Sequence, residues 1–100
     1  MEYYRVVVFP TAQNDLRDIV DYLNTLSYDV AARYYDLIID EIGTLETMPE
    51  RCPLAKDIQL RLRGYRTLLV RNYIVFYVIT GKTVEIRRIL YARRQFEGLI

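Results

Sequence analysis

The last third of the chain leaves few choices of architecture. Three runs rich in β-branched and aromatic residues, at about 65–70, 73–80 and 83–91, are separated by Arg71-Asn72 and by Gly81-Lys82. A two-residue link between strands admits only a hairpin, and Asn72 tolerates the left-handed backbone such a turn needs. Gly81 offers the same freedom to the second link. Consecutive hairpins make a meander, so these runs are expected as three antiparallel neighbours. Alternation along the last run predicts Val84, Ile86, Arg88 and Leu90 on one face, with Glu85, Arg87, Ile89 and Tyr91 on the other.

Upstream the periodicity changes. Tyr4 to Phe9 reads as a short strand ended by Pro10. Thr11 then reads as a helix N-cap, with Asp15 and Asp18 near the positive end of the helix. Ala12, Leu16, Ile19, Val20 and Leu23 recur on one helical face. After a break at 24–28, a second helix starts near Ser27 or Asp29 and runs to about Thr47, before Pro49. Its stripe is Ala31, Tyr34, Tyr35, Ile38, Ile42 and Leu45. A short break between two helices predicts an antiparallel hairpin. Residues 49–63 read as a loop, and 92–100 as a short closing helix. The expectation is one α+β domain over residues 1–100. It has an N-terminal strand, a two-helix hairpin and a three-stranded antiparallel meander completing one sheet. The helices lie on one face.

Charge is divided along the chain in the same sense. Residues 1–50 hold ten acids and three arginines, net −7, while residues 51–100 hold eleven bases and three acids, net +8. The near-neutral total therefore conceals a basic half that suits an anionic partner. Arginine supplies twelve of the fourteen basic residues, which favours forked contacts to phosphate or carboxylate over diffuse attraction. With no histidine and only Cys52, the usual zinc ligands are missing, and so are Ser-His and Cys-His nucleophiles. Neither a metal nor another cofactor is expected. The longest apolar run, Tyr73 to Ile79, is far short of the ~20 residues of a membrane-spanning helix. The N-terminus lacks a signal-peptide pattern, and a lone cysteine fits a reducing cytoplasm.

The candidate site residues lie in the basic half. Arg61, Arg63, Arg66 and Arg71 form a stripe of positive charge without an intervening acid. Arg87 and Arg88 suit either phosphate contact on the open sheet face or cross-strand salt bridges. Tyr65, Tyr73 and Tyr77 offer stacking surfaces for nucleic acid, although Tyr73 and Tyr77 equally suit a core. Tyr91 ends the third run beside Arg93 and Arg94. It suits acid–base work, base stacking, or packing at the end of the sheet.

Several short motifs occur in a fixed order: Pro10-Thr11-Ala12 with Asp15-Leu16, Ile19 and Tyr22; Ala31-Ala32, Tyr35, Ile42, Leu45 and Pro49; Gly64-Tyr65-Arg66; Asn72-Tyr73; Val75-Phe76-Tyr77; Val84 and Ile86; and Arg88-Ile89-Leu90-Tyr91 followed by Arg93-Arg94. In this order the chain resembles the RelE/ParE superfamily of bacterial toxins from type II toxin–antitoxin modules. The resemblance implies growth inhibition, plasmid stabilisation, and a co-encoded antitoxin whose acidic or amphipathic tail wraps the toxin as a hetero-oligomer. It also implies one of two targets. The ParE branch poisons DNA gyrase and is no enzyme, whereas other members cleave mRNA on the ribosome. Gly64-x-Arg66, Val75-Phe76-Tyr77 and Arg88-Ile89-Leu90-Tyr91 are closer to the ParE branch. Ile74 stands where the nucleases often carry arginine, and Tyr91 where some carry a catalytic tyrosine. A binding module or decayed toxin without either activity is the remaining alternative.

Overall fold

The first and last strands of the chain lie side by side. In the computed structural model, which describes residues 1–93, β1 (Arg5–Val8) pairs in parallel with β4 (Thr83–Tyr91). β4 pairs antiparallel with β3 (Tyr73–Thr80), and β3 with β2 (Arg66–Val70), giving the order β1-β4-β3-β2. The meander is present, but the complete sheet is mixed. That corrects the expected arrangement of a simple antiparallel meander closed by the first strand. A parallel pair requires a long crossover, and here the whole helical layer provides it.

Helix α1 (Pro10–Asn24) starts earlier than Thr11 suggested. Phe9 occupies the N-cap position in an extended conformation, and Pro10 is the first helical residue. Proline suits that position because its missing N–H has no helical partner there. Residues 25–27 turn the chain into α2 (Tyr28–Gly43), where the Ser27 hydroxyl accepts the Val30 N–H at 3.3 Å. A tight 3-10 turn, Thr44–Glu46, prolongs the helix towards Pro49. Ala12 and Leu16 from α1, and Ile38 and Ile42 from α2, bury against Val75, Tyr77, Val84, Ile86 and Ile89 of the sheet. The Tyr77 hydroxyl donates to the Pro49 carbonyl at 2.6 Å, so the polar end of a buried ring is satisfied. Trimming Ile38, which is fully buried, to alanine costs about 2–5 kcal/mol.

The expected loop at 49–63 holds more structure than its two prolines suggested. A 3-10 turn spans Pro49–Arg51, and α3 (Ile58–Leu62) follows with Asp57 as its cap, accepting the Leu60 N–H at 3.1 Å. Leu60 packs with Ala55, Tyr65, Phe76, Val78 and Leu90. Phe76 and Val78 alternate with Val75 and Tyr77, so this second cluster lies on the sheet face opposite α1 and α2. The helices therefore do not share one face. The closing helix expected over 92–100 lies, beyond a turn at Ala92 and Arg93, outside the described residues.

Two local details also differ from the sequence reading. In the β2–β3 turn it is Arg71, not Asn72, that takes positive φ, at 54°. In β4, Phe76 pairs with Arg88 while Tyr77 pairs with Ile86, so Arg87 is an extra, bulged residue. The bulge breaks the predicted alternation. Val84, Ile86 and Ile89 all enter the helix-side core, and Leu90 enters the opposite cluster.

Candidate functional site

The bulge in β4 sorts the arginines. Past Val8 the parallel partner ends, and the Phe9 N–H donates to the Ile86 carbonyl at 2.9 Å. Asp15, one turn into α1, covers the next stretch of the β4 edge. Its carboxylate accepts the Ile89 N–H at 2.9 Å and a fork from Arg88, Nε at 2.7 Å and Nη2 at 2.8 Å. This pairing raises the Arg88 pKa above the ordinary arginine value. Arg88 is thus engaged in a strand-to-helix ion pair, rather than the cross-strand bridge the sequence suggested.

Arg87 turns elsewhere. Its guanidinium lies 4.8 Å from the Phe9 ring centroid and 6.0 Å from that of Tyr65, and its Nε donates to Glu85 at 3.2 Å. Arg63, at the end of α3, lies 5.1 Å from the same Tyr65 ring. Two arginines 24 positions apart in sequence thereby flank one buried tyrosine. The ring faces hold both cations by quadrupole attraction. Arg63 is exposed and Arg87 half-buried, which leaves N–H groups available to an anionic partner.

The other predicted arginines are dispersed. Arg66 donates to the Glu50 carbonyl at 3.1 Å and the Cys52 carbonyl at 2.7 Å, tying the 49–53 segment to β2. Arg61 donates from Nε to the Ala55 carbonyl at 3.1 Å while remaining exposed. Arg71 is exposed at the hairpin tip, and Arg93 is exposed after β4. Arg94 lies outside the described residues.

Tyr91 is 42% exposed at the end of β4. Its ring meets Tyr73 edge to face at 5.7 Å, and Tyr73 meets Tyr34 likewise at 6.0 Å. Burial, and then the neighbouring tyrosines, raise the Tyr73 pKa, and burial pushes that of Tyr77 still higher. Both are core residues. Tyr91 opens onto a cleft lined by Asp15, Asp18, Ile19, Tyr22, Tyr73, Ile89 and Leu90. Asp15, Asp18, Ile19 and Tyr22 fall at helical spacing on α1. That spacing was visible in the sequence, but it reads there as cap charge and core stripe.

A second, larger groove follows β2. It is lined by Leu60, Leu68, Leu69, Ile74 and Phe76, with Arg51 and Lys56 at its rim. The segment at 53–55 covers one end of this edge: the Thr67 N–H donates to the Pro53 carbonyl at 3.1 Å, and the Ala55 N–H to the Tyr65 carbonyl at 2.8 Å. At Leu69, whose residue is 66% exposed, no backbone bond from another described segment closes the outward edge. Lys56 and Arg51 had not been singled out from the sequence. Among the described residues, no group of three or more His, Cys, Asp or Glu side chains could hold a metal ion. No described helix is long and apolar enough to cross a membrane.

Residues 6–96 match the family described as the ParE toxin of the type II toxin–antitoxin system, parDE. The chain belongs to that family. It is a RelE/ParE superfamily toxin of the type II class, and the match runs from the second residue of β1 to beyond β4. Solved structures share its fold. One, described as the chromosomal ParDE system from P. aeruginosa, superposes with a TM-score of 0.79 at 19% identity, covering 91% of this chain and 98% of that chain. Another, the toxin–antitoxin complex RelBE2 from Mycobacterium tuberculosis, gives 0.62 at 24% identity, covering 91% and 93% respectively. No curated protein matches it.

Proposed function

We propose that this ParE-family chain inhibits bacterial growth when free of a co-encoded antitoxin, and that it does so in the cytoplasm by poisoning DNA gyrase. The observation that carries the choice of target is the setting of Tyr91. It lines a cleft with Asp15, Asp18, Tyr22 and Tyr73, and the nearby Arg88 is engaged by Asp15. Phosphoryl chemistry on RNA needs positive charge placed where negative charge develops. A cleft with two carboxylates is poorly suited to that. Ile74, in place of a nuclease arginine, packs against the apolar cluster of Leu60, Phe76 and Leu90. The arginines left accessible, notably Arg63 and Arg71, suit contact with an acidic protein or DNA surface rather than bond cleavage.

The proposed antitoxin contact is the β2 groove, where an apolar centre is rimmed by Arg51 and Lys56. An amphipathic, acidic segment complements both features. The related structures are of a ParDE system and a RelBE2 complex, and this supports a protein partner of that kind.

A nuclease reading retains one favouring observation, the solvent-facing Tyr91 at a strand end. Induced expression without antitoxin separates the readings. Growth arrest with gyrase-dependent DNA breaks and intact mRNA is expected. Arrest with ribosome-dependent mRNA cleavage would move the chain to the nuclease branch. Unchanged growth with soluble protein would leave a binding module.

A further inference from the structure

The cleft beside Tyr91 has a sign opposite to that of the arginine surfaces. Tyr22 and Ile19 on α1 line it together with Tyr73 on β3 and Ile89 and Tyr91 on β4, and its volume is ≈ 460 Å³. Of its two carboxylates, Asp15 is occupied by Arg88 and the Ile89 N–H. Asp18, one turn further along, is exposed and makes no hydrogen bond or ion pair among the described residues. Tyr22 is 61% exposed, so a large aromatic surface stands in water beside a carboxylate that has no partner among the described residues.

We propose that this cleft receives an arginine side chain from a partner polypeptide. An anionic group is repelled by Asp18, and a purely apolar one strips water from that carboxylate without replacing it. A cation with an apolar stem meets every surface at once. The stem covers the half-buried Ile19 and the exposed tyrosine rings, and the charged head reaches Asp18. The planar head also stacks against the tyrosine rings, which favours guanidinium over the compact, strongly hydrated ammonium of lysine. The site is independent of which target the toxin poisons. It makes the chain a two-signed surface, with a basic-rimmed groove for an acidic segment and an acidic aromatic cleft for a basic anchor.

The test is an NMR titration of the full chain with capped arginine (N-acetyl-arginine methylamide), compared with capped lysine, capped glutamate and free arginine. Capped arginine should produce saturable shifts confined to Asp18, Ile19, Tyr22 and Tyr91 and their immediate neighbours, weakened by added salt. Lysine should bind more weakly and glutamate not at all. Free arginine should also be weaker than the capped form, because its own carboxylate meets Asp18. Asp18→Asn should weaken capped-arginine binding about three- to fivefold, the scale of an exposed ion pair. Tyr22→Ala, also at an exposed position, should weaken it independently. The proposal is overturned if arginine gives no saturable shift or glutamate shifts the same residues. It is equally overturned if Asp18→Asn binds as the wild type does, and tighter binding of free arginine would overturn the polypeptide source.

Discussion

Asp15 and Arg88 lie 73 residues apart in sequence and form a forked ion pair at 2.7 and 2.8 Å. The same carboxylate accepts the Ile89 N–H, so one side chain both pairs a guanidinium and closes the strand edge that β1 leaves open. The pair is largely shielded, with side chains 17% and 11% exposed. Loss of one partner from such a pair is far costlier than loss from a surface pair, because the other charge and the strand N–H remain desolvated.

Asp15→Ala should therefore destabilise the fold by about 3 kcal/mol, at the low end for a buried pair because some solvent reaches it. Asp15→Asn should lose less, since one amide oxygen can still accept the Ile89 N–H. Urea denaturation gives both numbers. A loss under about 0.5 kcal/mol for the alanine variant, the level of ordinary surface substitutions, would mark the pair as incidental.

Tyr77 should set an alkaline limit to stability. Burial, and after it the neighbouring Cys52, raise its folded pKa far above the unfolded value near 10. The proton is held more tightly in the folded state, so the contribution is complete below pH ~10 and is lost as pH rises towards the folded pKa. Through that window Tyr77 alone should remove about 1.4 kcal/mol of stability per pH unit. Tyr77→Phe should lower stability at pH 7 by about 1–3 kcal/mol, because the Pro49 carbonyl loses its donor. It should also flatten the decline above pH 10. Thermal melts of both proteins between pH 7 and 11 test this, and parallel curves would exclude Tyr77 as the titrating group.

Where the sequence was legible, a local rule was in force. The meander followed from turn spacing at Arg71-Asn72 and Gly81, and the hairpin from the helical stripe and the Ser27 cap. The direction of β1 was not legible, because it depends on where a strand meets a partner some 78 residues away. α3 is five residues long, too short for periodicity to register, and its one signal was Asp57 three residues before Leu60. The site was misread through the bulge at Arg87. One extra residue moved Ile89 into the helix-side core and sent Arg88 to Asp15, undoing a face assignment built on strict alternation. The meeting of Arg63 and Arg87 on Tyr65 is a tertiary event without a local signature.

The arginines now divide into exposed ones, whose reversal costs little stability, and ones that hold the backbone in place. Arg63 and Arg71 are exposed, whereas Arg66 holds two carbonyls of the 49–53 segment. If the basic surface guides an acidic antitoxin, Arg63→Glu with Arg71→Glu should slow association and alter its salt dependence more than dissociation. Arg66→Glu should instead lower stability. Stopped-flow association at several ionic strengths checks the first outcome. Unchanged rates in the double variant would remove these arginines from the contact surface.

Tyr91 decides between mechanisms most directly. Its ring packs on Tyr73, and phenylalanine preserves that contact while removing only the hydroxyl. If the hydroxyl moved a proton in RNA cleavage, its loss should reduce the rate about 10²–10⁴-fold. A gyrase poison needs no such proton, so Tyr91→Phe should arrest growth as the wild type does. Arg93 is exposed just beyond the strand and Arg94 follows it in sequence. Arg93→Glu with Arg94→Glu should abolish arrest by repelling an acidic protein surface or DNA. The check is growth after induction without antitoxin, with each variant confirmed soluble. Ribosome-dependent mRNA cleavage by the wild type, lost in Tyr91→Phe, would replace the gyrase target with the nuclease one and leave the family unchanged.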